Sequence, residues 1–158
     1  MKNEGIIDGM EDGTYQPDRG ITRAEFLKLL MVRFNLDDNG YEGIYADVSS
    51  DLWYAEMIQN AFEIGIINPI LVSDGHFNPD SPLTREEAAI MANSYAEYMG
   101  YKDKKETVYF ADDELISPEA KNSVYSAARK SVTAGFEDNT FRPKMILTRA
   151  EAAQMVKN

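Results

Sequence analysis

One tetrapeptide occurs three times, and its spacing constrains the fold more than any other feature of the chain. Thr22-Arg23-Ala24-Glu25 returns as Thr84-Arg85-Glu86-Glu87 and as Thr148-Arg149-Ala150-Glu151, with the copies 62 and 64 residues apart. Each follows a loop of one type: Asp12-Gly13-Thr14-Tyr15-Gln16-Pro17, Asp74-Gly75-His76-Phe77-Asn78-Pro79 and Asp138-Asn139-Thr140-Phe141-Arg142-Pro143. The proline stands five residues before the threonine every time. A loop and a helix start kept in step three times mark a repeat architecture, in which neighbouring units bury each other's apolar faces.

The threonine and the glutamate read as a capping box. Thr22, Thr84 and Thr148 are placed to accept from the N3 amide, and Glu25, Glu87 and Glu151 to reach back to the cap. The arginine is the odd member. At the first helical position it meets the positive end of the helix dipole, which disfavours a cation by about 0.3–1 kcal/mol. Three such arginines at one repeat position imply a fixed partner. Two partners suit it: an internal carboxylate, or an anionic ligand held by the guanidinium fork together with free helix amides.

Helices are expected over 23–34, 51–64 and 85–99, then from Pro118 behind a Ser117 cap, and from Thr148 to the end. The first carries apolar residues on nearly every face and reads as central. Ile21 is positioned as a hydrophobic staple. Ala88, Ala92, Tyr95, Ala96 and Met99 form the expected buried stripe of the third helix. The unit is thus helix, loop with two turns, capped helix. Residues 1–38 supply only the second half of such a unit, 44–100 a second unit and 108–158 a third. On this register the chain holds two and a half repeats, and the first lacks its first helix. Gly65 stops one helix, and Ser131 holds the same place one repeat later.

A net charge of −11 and a pI near 4.5 argue against nucleic acid and anionic membrane surfaces as partners. They also require any anionic ligand to be held by local geometry, against the overall field. There is no cysteine, hence no disulfide frame and no thiolate metal site. No apolar run approaches the roughly 20 residues of a membrane span. No signal peptide is recognisable at the start, so a secreted parent would be represented here by a mature segment.

Taken together these motifs resemble S-layer homology (SLH) modules. The family pattern, in order, is met by Tyr45-Ala46-Asp47-Val48, Trp53, Gly5-Ile6-Ile7-Asp8-Gly9, the first Asp-Gly-Thr loop and the three Thr-Arg copies. The resemblance covers nearly the whole chain. It implies an all-α fold with pseudo-threefold symmetry, one helix of each repeat joining a central bundle. It also implies a secreted, cell-surface protein that anchors non-covalently to a pyruvylated secondary cell wall polysaccharide through grooves between repeats, with no cofactor. Carried over by motif, the ligand contacts would be Arg23, Arg85, Arg149, Asp47, Trp53, Asp112, Gly9 and Gly135. Glu119 stands where repeat 3 should carry the Trp, and Pro69 where repeat 2 should carry the Gly. At most one groove is therefore expected to hold the full set, built on Asp47, Trp53 and a neighbouring repeat's arginine. The chemistry is consistent: arginine takes a carboxylate in bidentate fashion, and an indole face suits a sugar ring. Each residue also has a structural reading: a salt bridge for the arginines, a local cap for Asp47, a half-buried core position for Trp53.

Other classes fit less well. His76 is the only histidine and has no base or nucleophile partner, so catalysis is not expected. Asp8, Asp12 and Gly13 echo a calcium loop that Met10 and Arg19 spoil. The main alternative is a protein-interaction or self-assembly module that kept the fold and lost the sugar site. The incomplete first repeat would then invite a homo-oligomer.

Overall fold

The computed structural model describes residues 16–38 and 40–157. Among them are five α-helices and no sheet: α1 Arg23–Met31, α2 Ala55–Glu63, α3 Arg85–Tyr98, α4 Lys121–Arg129 and α5 Arg149–Lys157. Helices α1, α3 and α5 are the three that open with Thr-Arg. Helix α2 packs on α1, α4 packs on α3, and α1 also packs against both α3 and α5. The fold is the all-α repeat anticipated from the motifs.

A closed cycle of three backbone hydrogen bonds lies at the centre. The amide of Ile21 donates to Leu147 O (2.9 Å), that of Leu147 to Leu83 O (2.8 Å), and that of Leu83 to Ile21 O (3.0 Å). All three side chains are buried, each the residue before a capping threonine. One apolar position per repeat therefore supplies both a core side chain and a link of the ring. This places the pseudo-threefold axis at the helix entrances.

The capping threonines act at N3: Glu25 N to Thr22 Oγ1 is 3.2 Å, Glu87 N to Thr84 Oγ1 3.3 Å, and Glu151 N to Thr148 Oγ1 3.2 Å. Glu87 and Glu151 return the bond to the threonine amides at 3.0 and 2.9 Å. Glu25 turns its carboxylate to Arg19 and Arg149.

Several boundaries differ from expectation. Helix α1 stops at Met31 rather than at Phe34, because the chain turns there, Phe34 N bonding Met31 O at 3.0 Å. Helix α2 starts at Ala55 rather than Asp51, after tight turns in which Leu52 N bonds Ser49 O and Ala55 N bonds Leu52 O. Trp53 therefore sits in a turn before the helix. Helix α4 starts at Lys121: Pro118 belongs to a preceding turn, and the Ser117 hydroxyl is drawn to Glu86 (2.7 Å) instead of capping the helix. Met99 leaves the buried stripe of α3 and is 44% exposed. Two short 3-10 turns, Pro69–Leu71 and Asp113–Leu115, were not foreseen. The register of Gly65 and Ser131 holds in detail. Both are left-handed (φ 81° and 61°), and the next amides bond back alike, Ile66 N to Ala61 O and Val132 N to Ala127 O, each 2.9 Å.

Candidate functional site

The first two amides of each Thr-Arg helix are already used. Arg23 N and Ala24 N donate to Ser81 O and Pro79 O, Arg85 N and Glu86 N to Met145 O and Pro143 O, Arg149 N and Ala150 N to Arg19 O and Pro17 O. The entrance of each of these three helices is thus plugged by the loop of the next repeat in the cycle. The expectation of free amides awaiting an anion is corrected: neighbouring carbonyls satisfy the helix ends that water or a ligand would otherwise meet.

The guanidinium groups follow the same cyclic rule. Arg23, buried, donates through NH1 to Phe77 O (3.0 Å) and Leu71 O (2.5 Å) and through NH2 to Glu87 (2.9 Å). Arg85 donates to Phe141 O (2.8 Å) and Ala134 O (2.9 Å), lies between the Phe136 and Phe141 rings, and faces Glu151. Burial pulls the pKa of Arg85 down, partly offset by Glu151 and Asp112. Arg149 reaches Glu25 at 3.1 Å. Each arginine thus grips the loop or the capping glutamate of the following repeat. Of the two partners open to it from sequence, the internal carboxylate is present for Arg23 and Arg149, while Arg85 bonds loop carbonyls.

The two opening aspartates clamp the same loops. Asp47 accepts from Phe77 N (3.0 Å) and Asn78 N (2.7 Å), and Asp112 from Phe141 N (2.7 Å) and Arg142 N (2.8 Å). Asn78 and Arg142 are left-handed (φ 56° and 57°), as is Gln16 at the corresponding site (φ 49°). A non-glycine residue held there stores strain, and two charge-assisted bonds per aspartate hold it in place.

Two equivalent grooves open between repeats, each of about 230 Å³. One is bounded by Arg23, Leu71, Glu87 and Ile90, with Ser117 and Glu119 along one side. The other is bounded by Arg85, Thr133, Gly135, Phe136, Glu151 and Gln154. Glu119 adds a carboxylate to the first groove, which suits an anionic sugar poorly, while Glu86 there is paired with Lys144. In the second, Thr133 is buried and its hydroxyl has no hydrogen-bond partner. Gly135 is there for space: a Cβ would come within 2.8 Å of the Phe110 ring and 2.9 Å of Thr140 O. Pro69, its counterpart in repeat 2, opens the 3-10 turn that Asn68 caps.

The repeat register locates a third, related surface. Trp53 corresponds to Glu119, Lys28 to Ile90, and Arg149 to Arg23. Trp53 is 60% exposed, so it is not a core residue; it stands edge-on to Tyr54, and Lys28 Nζ lies 5.8 Å from its ring centre. Glu25, on the same helix as Lys28, holds Arg149. The structure thus gathers Trp53, Lys28, Glu25 and Arg149 around α1, and leaves Asp47 to the loop of repeat 2. Lys28 was missed as a site residue, although it sits three places after a capping glutamate, where Ile90 and Gln154 line the other two grooves. Gly9 and the calcium-like residues Asp8, Asp12 and Gly13 lie outside the described residues.

A cyclic helical repeat whose candidate sites fall between neighbouring units is the class these features define. The chain belongs to the S-layer homology domain family, whose model matches residues 1–27, 44–89 and 109–153. It is 38% identical over 99% of its length to the exoglucanase XynX of Acetivibrio thermocellus, and 38% identical over 99% to the amylopullulanase of Thermoanaerobacterium thermosulfurigenes. It spans only 14% and 8% of those two proteins. It is also 27% identical, over 96% of its length, to the cellulosome-anchoring protein of Acetivibrio thermocellus, spanning 34% of it. No helix among the described residues is long and apolar enough to cross a membrane.

Proposed function

We propose that the chain is a non-catalytic module that holds a larger protein at the cell surface by binding a pyruvylated secondary cell wall polysaccharide between its repeats. Membership of the family and likeness to a cellulosome-anchoring protein support the anchoring role. So does the small share of two unrelated enzymes that the chain spans, since a segment common to both is expected to serve location rather than either reaction.

The observation that carries the sugar reading is the indole of Trp53, exposed in a turn at the mouth of an inter-repeat surface with an ammonium beside it. An apolar face stacks on a pyranose, and a flanking cation takes a ketal-borne carboxylate. Trp53 and Lys28 are the contacts this reading relies on first. Arg149 stands behind them, paired with Glu25, and joins a ligand by exchanging that partner. Arg85, Thr133 and Gly135 form a second candidate groove. Arg23, Asp47 and Asp112 support the fold around these surfaces.

The test is co-sedimentation with purified wall material, native and depyruvylated. Trp53→Ala and Lys28→Gln are expected to lower retention at least about tenfold, the loss of roughly 1.4 kcal/mol. Depyruvylation is expected to lower it for the unaltered chain. Full retention of both variants on native wall would overturn the site. Equal retention with and without pyruvate would overturn the ligand.

A further inference from the structure

The two inter-repeat linkers occupy related places and carry opposite charge. Residues 35–38 and 40–44 run along α2: Asp37 and Asn60 exchange bonds of 3.0 and 3.1 Å, and Glu42 N bonds Gln59 Oε1 at 3.1 Å. Residues 100–107 run across the end of α4, where Lys104 N and Lys105 N both donate to Arg129 O at 2.8 and 3.1 Å. On the first face Asp37, Asp38, Glu42, Glu56 and Glu63 are all exposed. On the second Lys102, Lys104 and Lys105 are exposed beside Arg129, outnumbering Asp103, bonded to Arg129 at 3.1 Å, and the exposed Glu106. The contrast extends to a single repeat position, Glu63 on α2 against Arg129 on α4. A chain of net charge −11 that sets three of its nine lysines within four residues of one linker has made a local exception to its own field.

We propose that these are the two halves of a head-to-tail contact, the Lys102–Lys105 face of one copy meeting the Asp37–Glu63 face of another. The occupant is argued from charge complementarity. A second copy brings an acidic face of fixed geometry to the lysines, and this local attraction works against the net charge of −11 that both copies carry. The two faces differ, so the contact is heterologous, leaves one face open at each end, and propagates instead of closing as a twofold dimer. It involves neither Trp53 nor the grooves, so it stands whether or not those bind sugar. Being built on exposed charges, it is weak and salt-sensitive.

Sedimentation velocity over a range of concentrations, in about 20 mM and about 300 mM salt, tests it, since the Debye length falls severalfold between them. At low salt the coefficient rises with concentration; at high salt it does not. Lys102→Glu/Lys104→Glu/Lys105→Glu abolishes the rise, and so does Asp37→Lys/Asp38→Lys/Glu42→Lys. All six positions are exposed, and circular dichroism checks that both variants stay folded. An equimolar mixture of the two restores association, because each then presents the charge the other lacks. A flat coefficient at every salt, association that survives either variant, or a mixture that stays monomeric overturns the proposal. So does capture of the unaltered chain by poly-glutamate with no self-association.

Discussion

Arg23 offers the sharpest separation of structural from ligand roles. Its guanidinium meets two loop carbonyls and one carboxylate, and the residue is 6% exposed. Arg23→Ala strands Leu71 O and Phe77 O in a largely dry place and leaves Glu87 without its cation. Each orphaned buried carbonyl costs about 1–3 kcal/mol. The pair with Glu87 adds less, since that side chain is 28% exposed and solvent screens it. The sum is about 2–6 kcal/mol, a large part of what a chain of this size has to lose. Urea unfolding followed by far-ultraviolet circular dichroism measures it as a fall in midpoint at constant slope. Arg23→Lys restores charge but not the forked reach to two carbonyls, and recovers less than half. A loss under about 1 kcal/mol in Arg23→Ala, together with abolished wall retention, would refute the reasoning. The guanidinium would then serve a ligand, and the loop carbonyls would be satisfied some other way.

Three further outcomes are expected. Gly135→Ala drives a methyl into the Phe110 ring and Thr140 O, so the loop shifts and stability falls by about 1–3 kcal/mol in urea titration; an unchanged midpoint would show that the loop yields freely. Asp112→Ala removes two charge-assisted bonds that hold Arg142 left-handed, with an expected loss of about 2–4 kcal/mol and faster amide exchange at Phe141 and Arg142. Glu86 gives a pH effect. Burial would raise its pKa, but bonds from Lys144 (2.5 Å) and from the Ser117 hydroxyl and amide (2.7 and 3.0 Å) outweigh that and hold it below the ordinary 4.5. A depressed carboxylate stabilises above its unfolded pKa and stops doing so as pH falls through the folded one. Thermal melts between pH 6 and pH 3, compared as about those two limits, should therefore show Glu86→Gln losing less on acidification than the unaltered chain; parallel losses would remove Glu86 as a cause.

Much of the fold was readable because repetition turns weak local signals into strong ones. One Thr-x-x-Glu is a common cap; three in step, each behind a loop that opens on an aspartate and closes on a proline, specify a cycle. Ile21, Leu83 and Leu147 were visible as apolar residues before a cap. Their backbone ring was not, because nothing in a side chain states which carbonyl its amide will find. Boundaries failed for the same local reason. Ser117-Pro118 has the chemistry of a helix start, yet Glu86, distant in sequence, takes the hydroxyl. That glutamate fills the place of the alanine in the other two copies.

The site was harder to read because its residue types serve two purposes equally well. An arginine at a helix entrance suits a sugar acid. It equally suits the loop of the next repeat, and sequence separations of 48 to 64 residues conceal the second option. Asp47 and Asp112 show how the two uses combine. By clamping the loops that the arginines also grip, they fix the walls of the grooves without lining the two grooves described. Rigid walls cost a bound polymer little further ordering, so preorganisation counts toward affinity even where no atom touches the ligand. Under the proposed function, direct recognition then falls to the exposed Trp53, in the turn before α2, and to Lys28 on α1.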